Sequence, residues 1–155
     1  MKHKLSKVGF PPIVGCGPKV LILGSMPSEA SLAQGQYYAH PRNAFWYIMG
    51  ILFRFSAEAT YSERKALLIK NRVALWDVLQ ECERDGSLDS SIIGSSIKTN
   101  NFPHLLASHP TIQLIIFNGA AAEQIFKKRV LPDLKTQLEQ IQMIRLPSTS
   151  PASWI

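Results

Sequence analysis

The chain has 155 residues, 46% of them hydrophobic and 18% charged. That balance excludes a disordered polypeptide and fits one globular domain over residues 1–155. Seventeen Lys and Arg against eleven Asp and Glu leave a net charge of +6, which favours an anionic partner such as nucleic acid or an acidic membrane face. Cys16 and Cys82 form no C-x-x-C pair and no Cys/His cluster with zinc spacing. No apolar run approaches the roughly 18 residues of a membrane span. These patterns predict reduced thiols, no structural metal, no membrane insertion, and a soluble cytoplasmic protein.

Residues 1–19 read as an extended, basic, Pro/Gly-rich lead-in that carries Lys2, Lys4, Lys7 and Lys19. Val20 to Leu23 is wholly apolar and closes on Gly24, the pattern of a strand buried on both faces. A loop, Gly24 to Ser28, follows, and then a polar, aromatic stretch over 34–43. Residues 44–55 read as a helix that Asn43 can cap. Thr60 and Glu63 have capping-box spacing ahead of an amphipathic helix ending near Lys70. Val73 to Trp76 is a second strand, ended by Asp77. Residues 78–101 read as a short helix and a Ser-rich loop at Gly86 to Asp89. Phe102 to Ser108 is helical. Gln113 to Phe117 is a third strand closed by Asn118 and Gly119. Ala120 to Lys128 has helical composition, as does Leu134 to Gln140. Gln142 to Leu146 is a fourth strand that runs into Pro147–Pro151. Apolar strands alternating with helices predict a parallel sheet covered on both faces. Ligands of such sheets bind beyond the strand C-termini. The loops there are 24–43, 76–77, 118–119 and 146–151.

Several residues on those loops have two readings. Gly24 to Pro27 offers backbone amides that can hold an anion, or forms a plain turn. It lacks nucleotide-binding glycine patterns. Tyr37 and Tyr38 can stack on a nucleobase or serve as core aromatics. Asn43 can orient a water or cap the helix at Ala44. His40 reads as a loop hydrogen-bonder. Asn118, at a strand end, can read a base edge with its amide, or occupy an Asn-Gly turn. Ser148, Thr149 and Ser150 between two prolines suit phosphate binding, or form an ordinary surface loop. The Ser-x-x-Lys matches at Ser62–Lys65 and Ser95–Lys98 lack their partner motifs.

Taken together, Val20-Leu-Ile-Leu-Gly-Ser-Met-Pro-Ser28, Gln36-Tyr-Tyr-Ala-His-Pro-Arg-Asn-Ala-Phe-Trp46, Phe117-Asn-Gly119 and Leu146-Pro-Ser-Thr-Ser-Pro151 resemble the uracil-DNA glycosylase superfamily. The hypoxanthine-DNA (deoxyinosine) glycosylase branch is the nearest. Similarity also touches Leu75-Trp-Asp-Val78 and Gly86-Ser-Leu-Asp89. The resemblance implies a three-layer αβα sandwich with a four-stranded parallel sheet. It implies hydrolysis of the N-glycosidic bond of a deaminated base, with no cofactor, no metal and no lyase step. Most of the superfamily has a water-activating Asn or Asp where this chain has Met26; the hypoxanthine branch instead uses the Asn of His-Pro-Arg-Asn, here Asn43. By the same matching Tyr38 stacks on the flipped base and Asn118 bonds its edge. Ser25 and Met26 line the base site, and Ser148, Thr149 and Ser150 grip the DNA backbone. The implied partner is DNA containing a deaminated base, met by a monomer. Ser28 stands where the family has Gly, which predicts a slightly shifted backbone. The sequence stops at Ser153-Trp-Ile155, where relatives continue into a terminal helix, which predicts weakened DNA affinity.

Overall fold

The structure is a computed structural model that describes residues 6–151. Lys2 and Lys4 of the lead-in and the terminal Ser153–Ile155 lie outside the described residues. Four parallel strands, β2 (Val20–Gly24), β3 (Val73–Asp77), β6 (Leu114–Asn118) and β7 (Gln142–Leu146), form a sheet in the order β3-β2-β6-β7. The register pairs Gly24 with Asp77 and Asn118 with Leu146, so all four strands end at one level. Alternation along the strands separates two faces. Val20, Ile22, Leu75 and Ile116 face α2 (Phe45–Phe53) and α3 (Tyr61–Lys70), which are joined by the Trp46–Tyr61 edge contact. Leu21, Leu23, Ile115 and Phe117 face α4 (Phe102–Ser108) and α5 (Ala120–Ile125). There Phe102, Phe117 and Phe126 pack ring against ring with no exposure, each burial stabilising by about 1.5–3 kcal/mol.

The helix boundaries have local causes. Thr60 and Glu63 form the expected capping box. Ala120 to Lys128 is regular only to Ile125; Phe126–Val130 widens to a π-helix that buries Phe126 and Val130. The 134–140 segment holds only a short 3-10 helix, Lys135–Leu138.

Three expectations need correction. First, residues 78–101 do not hold an α-helix: β4 (Leu79–Glu83) pairs antiparallel with β1 (Ser6–Val8) and β5 (Lys98–Thr99) in a second small sheet. Leu-Gln-Glu-Cys-Glu carries helix-favouring side chains, but burying Leu79 and Cys82 against Met26 overrides that preference. Second, the loop after β2 contains a helix, α1 (Glu29–Gln34), capped by the Ser28 hydroxyl and closed by Gly35 at φ 64°. Third, among the described residues nothing covers the sheet along its β7 edge on the α2 side. Ile144 and Leu146 of β7 and Ile48 and Leu52 of α2 are exposed around an apolar groove of about 510 Å³. Among the described residues, no helix is long and apolar enough to cross a membrane.

Candidate active site

The strand-end loops are tied together by backbone and amide bonds. Val78 N–H donates to Gly24 O (2.8 Å) and Leu79 N–H to Ser25 O (3.1 Å), which fixes the first loop on β3. At the other side Asn118 Nδ2 donates to Thr149 Oγ1 (3.0 Å), and Asn118 Oδ1 accepts from Thr149 N–H (2.9 Å). Ala44 N–H donates to Thr149 O (3.1 Å), so the start of α2 is anchored to the same loop. Gly119 permits this approach. Its φ is 102°, and a Cβ there would lie 2.9 Å from Ser148 Cβ.

These ties enclose a pocket of about 80 Å³ beyond the sheet, and every residue that the sequence assigned to base or DNA contact or to catalysis lines it: Ser25, Met26, Tyr38, Asn43, Asn118, Ser148, Thr149 and Ser150; His40 does not. Four segments far apart in the chain therefore meet at one place. The adjacent tyrosines diverge. Tyr37 is buried in the core, its hydroxyl donating to Pro11 O (2.8 Å), and also forms part of the pocket wall. Tyr38 adopts φ 54°, a conformation costing a bulky residue about 1–3 kcal/mol and found mainly where surroundings impose it. Its ring stacks on Phe45 (centroids 4.2 Å apart, planes at 27°). Asn43 is not the cap of α2, which is Ala44; one residue before it, Asn43 Oδ1 accepts from Phe45 N–H (2.9 Å) in a local turn, and the side chain also faces the pocket. A carbonyl oxygen keeps a second lone pair, and the amide keeps its donors. His40 Nδ1 accepts from Arg42 N–H (3.1 Å), as a loop hydrogen-bonder does. Met26 packs against Leu79 and Cys82 while lining the pocket. The Ser25 hydroxyl donates to Asp89 Oδ1.

Asp77 was not among the residues assigned from sequence. It lines the pocket at 3% exposure. Burial raises its pKa to about 7; the Asp89 charge pushes the same way, and the buried Arg84 guanidinium opposes both. Arg84 is itself held by carbonyls, Nε donating to Gly86 O (3.0 Å) and Nη2 to Pro27 O. The Tyr38 hydroxyl is pushed upward by burial and then by Asp77. The nearby Asn118 amide pulls it down, without the alignment of a formed hydrogen bond. Tyr38 Oη and Asp77 Oδ2 are both buried without a hydrogen-bond partner among the described residues. Buried polar groups are nearly always paired, so two orphans in one pocket mark a place where something polar binds. The sequence signal for Asp77 was an ionisable residue ending a strand of four apolar residues. Asp89 and Ser87, which also line the pocket, sit in the Gly86–Asp89 motif. Among the described residues no three His, Cys, Asp or Glu side chains cluster as metal ligands do.

A parallel αβα sheet with a small polar pocket over its strand ends places a ligand where open α/β sheets bind one. The family model described as Uracil DNA glycosylase superfamily matches residues 11–155, and the chain belongs to that superfamily. Within it, the chain is 36% identical over 116 residues to the hypoxanthine DNA glycosylase of Methanosarcina barkeri, covering 74% of this chain and 72% of that protein. It is 39% identical over 117 residues to the protein of the same name from Methanosarcina acetivorans, covering 75% and 73%. The solution NMR structure of a candidate uracil DNA glycosylase from Methanosarcina acetivorans superimposes with a TM-score of 0.78 at 35% identity, covering 95% of this chain and 86% of that one.

Proposed function

We propose that the protein is a monofunctional DNA glycosylase that hydrolyses the N-glycosidic bond of a deaminated base, with deoxyinosine favoured. The observation that carries this reading is the convergence of Tyr38, Asn43, Asn118 and Ser148–Ser150 on one pocket. The names of the two Methanosarcina relatives support the choice of base.

A base inside a duplex is unreachable, so it must be extruded at a cost of a few kcal/mol, least for a mispaired base. Tyr38, backed by Phe45, covers one face of the extruded base, a contact worth roughly 1–3 kcal/mol. Asn118 has used one donor and one lone pair on Thr149, and its remaining N–H and lone pair meet the base edge. Ser148 to Ser150, latched by Asn118 and Ala44, hold the backbone beside the lesion. As the glycosidic bond lengthens, charge builds on the base opposite the backbone amides of Ser25 and Met26. Such electrostatic contacts contribute roughly 3–4 kcal/mol each. Asn43 cannot accept a proton at neutral pH. Its carbonyl, fixed by Phe45 N–H, holds the attacking water by position. The +6 charge draws the duplex in. A monomer carries all of these groups.

The test uses labelled duplexes with a single deoxyinosine, deoxyuridine or deoxyxanthosine, treated with alkali after incubation. Cleavage is expected first at deoxyinosine, and Asn43→Ala is expected to be about 10²-fold slower. Intact strands for all three duplexes would overturn the reading. A fully active Asn43→Ala protein would remove Asn43 from it. Faster cleavage at deoxyuridine would favour a uracil-directed enzyme, which the naming of the solved Methanosarcina acetivorans structure supports.

A further inference from the structure

Asp77 and Tyr38 meet at Gly24. A Cβ built on Gly24 would lie 2.5 Å from Asp77 Oδ1 and 2.9 Å from Tyr38 Oη, so the chain keeps this spot bare and the two side chains close together. The Asp77 backbone is held by Asn100 Nδ2, which donates to Asp77 O (2.8 Å), and its carboxyl is left over for the pocket. The side chain is almost wholly buried, and its Oδ2 has no partner among the described residues. The ionisable groups around it are Tyr37 and Tyr38 from the loop before α2, and Arg84 and Asp89 from the segment after β4. Arg84 supplies compensating charge at a distance: its Nε and Nη2 donate to Gly86 and Pro27, and its buried Nη1 has no partner among the described residues, Asp77 included. No side chain in the pocket therefore neutralises an ionised Asp77 by direct contact, and a proton does so most simply.

We propose that Asp77 is the general acid of the reaction, protonating a ring nitrogen of a purine leaving base; this rests on the reading of the pocket as a base-excision site. The carboxyl O–H bond breaks and its proton passes to the imidazole nitrogen of the base. The C1′–N9 bond breaks with its electron pair going to the base, which leaves neutral. Water adds its oxygen to C1′, and its released proton restores the Asp77 carboxyl. A carboxyl titrating at about 7 is about half protonated at neutral pH, where a proton donor works best. Purine departure gains most from such a proton, because N7 offers an in-plane lone pair, whereas the second ring nitrogen of uracil already bears hydrogen and has none.

The experiment is single-turnover excision of deoxyinosine from a duplex across pH 6–9, by the wild type and by the near-isosteric Asp77→Asn. The acid must be protonated, so the wild-type rate is expected to fall as pH rises through about 7. Asp77→Asn is expected to be 10²–10⁴-fold slower, to lose that descending limb, and to bind the same duplex within about threefold of wild type. A purely structural role would not remove the limb. Excision by the wild type with a flat profile, or an Asp77→Asn rate within fivefold of wild type, would overturn the assignment and leave the glycosylase reading intact. Absence of excision by the wild type at every pH would overturn both. The wild-type profile decides the matter even if Asp77→Asn fails to fold.

Discussion

Gly24→Ala separates site geometry from stability. Gly24 has no left-handed φ, so its backbone accepts alanine, and the consequence lies in what the new methyl meets. Ordinary contact begins near 3.4 Å, so Asp77 Oδ1 must retreat by about 0.9 Å and Tyr38 Oη by about 0.5 Å. A misplacement of about 1 Å at a reacting group costs about 10²-fold in rate, or about 2.7 kcal/mol of transition-state stabilisation. Overpacking costs about 1–3 kcal/mol of stability, while the reduced freedom of the unfolded chain returns about 0.4–1 kcal/mol. The net loss of about 0–3 kcal/mol corresponds to at most roughly 12 °C in Tm for a chain of this size. The assay pairs thermal unfolding with single-turnover excision of deoxyinosine at a temperature where both proteins are folded. A folded Gly24→Ala protein that excises within threefold of wild type would refute the placement of the reacting groups at this spot.

Asn118→Ala removes both bonds to Thr149, each worth about 0.5–1.5 kcal/mol; urea unfolding should show a loss of about 1–3 kcal/mol, accompanied by slower excision because the 147–151 loop comes free. Thr60→Ala breaks the capping box of α3, remote from the pocket; a Tm about 2–4 °C lower with an unchanged excision rate is expected, measured by calorimetry and the alkali assay. Duplex affinity measured by anisotropy from 50 to 200 mM salt should fall steeply, with a log–log slope of about −3 or beyond, and a flat slope would contradict phosphate engagement.

The sheet was legible because its strands are short apolar runs stopped by Gly24, Asp77, Asn118 and Pro147, and period and punctuation both survive in the sequence. The pocket was legible for the same reason: strand ends carry the residues that cannot be buried among aliphatics. The second sheet was not, because β1 has three residues and β4 buries only Leu79 and Cys82, three apart across a register shift, so no period-2 pattern shows; its pairing is non-local and contradicts local propensity. Nor could neighbouring letters distinguish Tyr37 from Tyr38. The backbone turns through φ 54° at Tyr38, so Tyr37 is almost wholly buried while the Tyr38 ring stacks on Phe45, and both rings reach the pocket wall. Asn43 sits one residue before the Ala44 cap of α2, and its carbonyl oxygen accepts from Phe45 N–H at the pocket wall, so the helix start still fixes a pocket residue. An aspartate after a strand is ordinarily a solvated terminus, and nothing in the letters around Asp77 marks it otherwise. Only its burial, with the Asp89 charge nearby, makes it reluctant to ionise, against the opposing pull of Arg84.

The most direct measurement is chromatographic detection of free base from a duplex carrying one deoxyinosine, with protein in excess over DNA. One equivalent of hypoxanthine should appear while the strand stays whole, and the strand should break at the vacated sugar only after alkali. A duplex that keeps its hypoxanthine, or a strand cut before alkali is added, would contradict hydrolysis at a pocket built from Tyr38, Asn43 and Asn118.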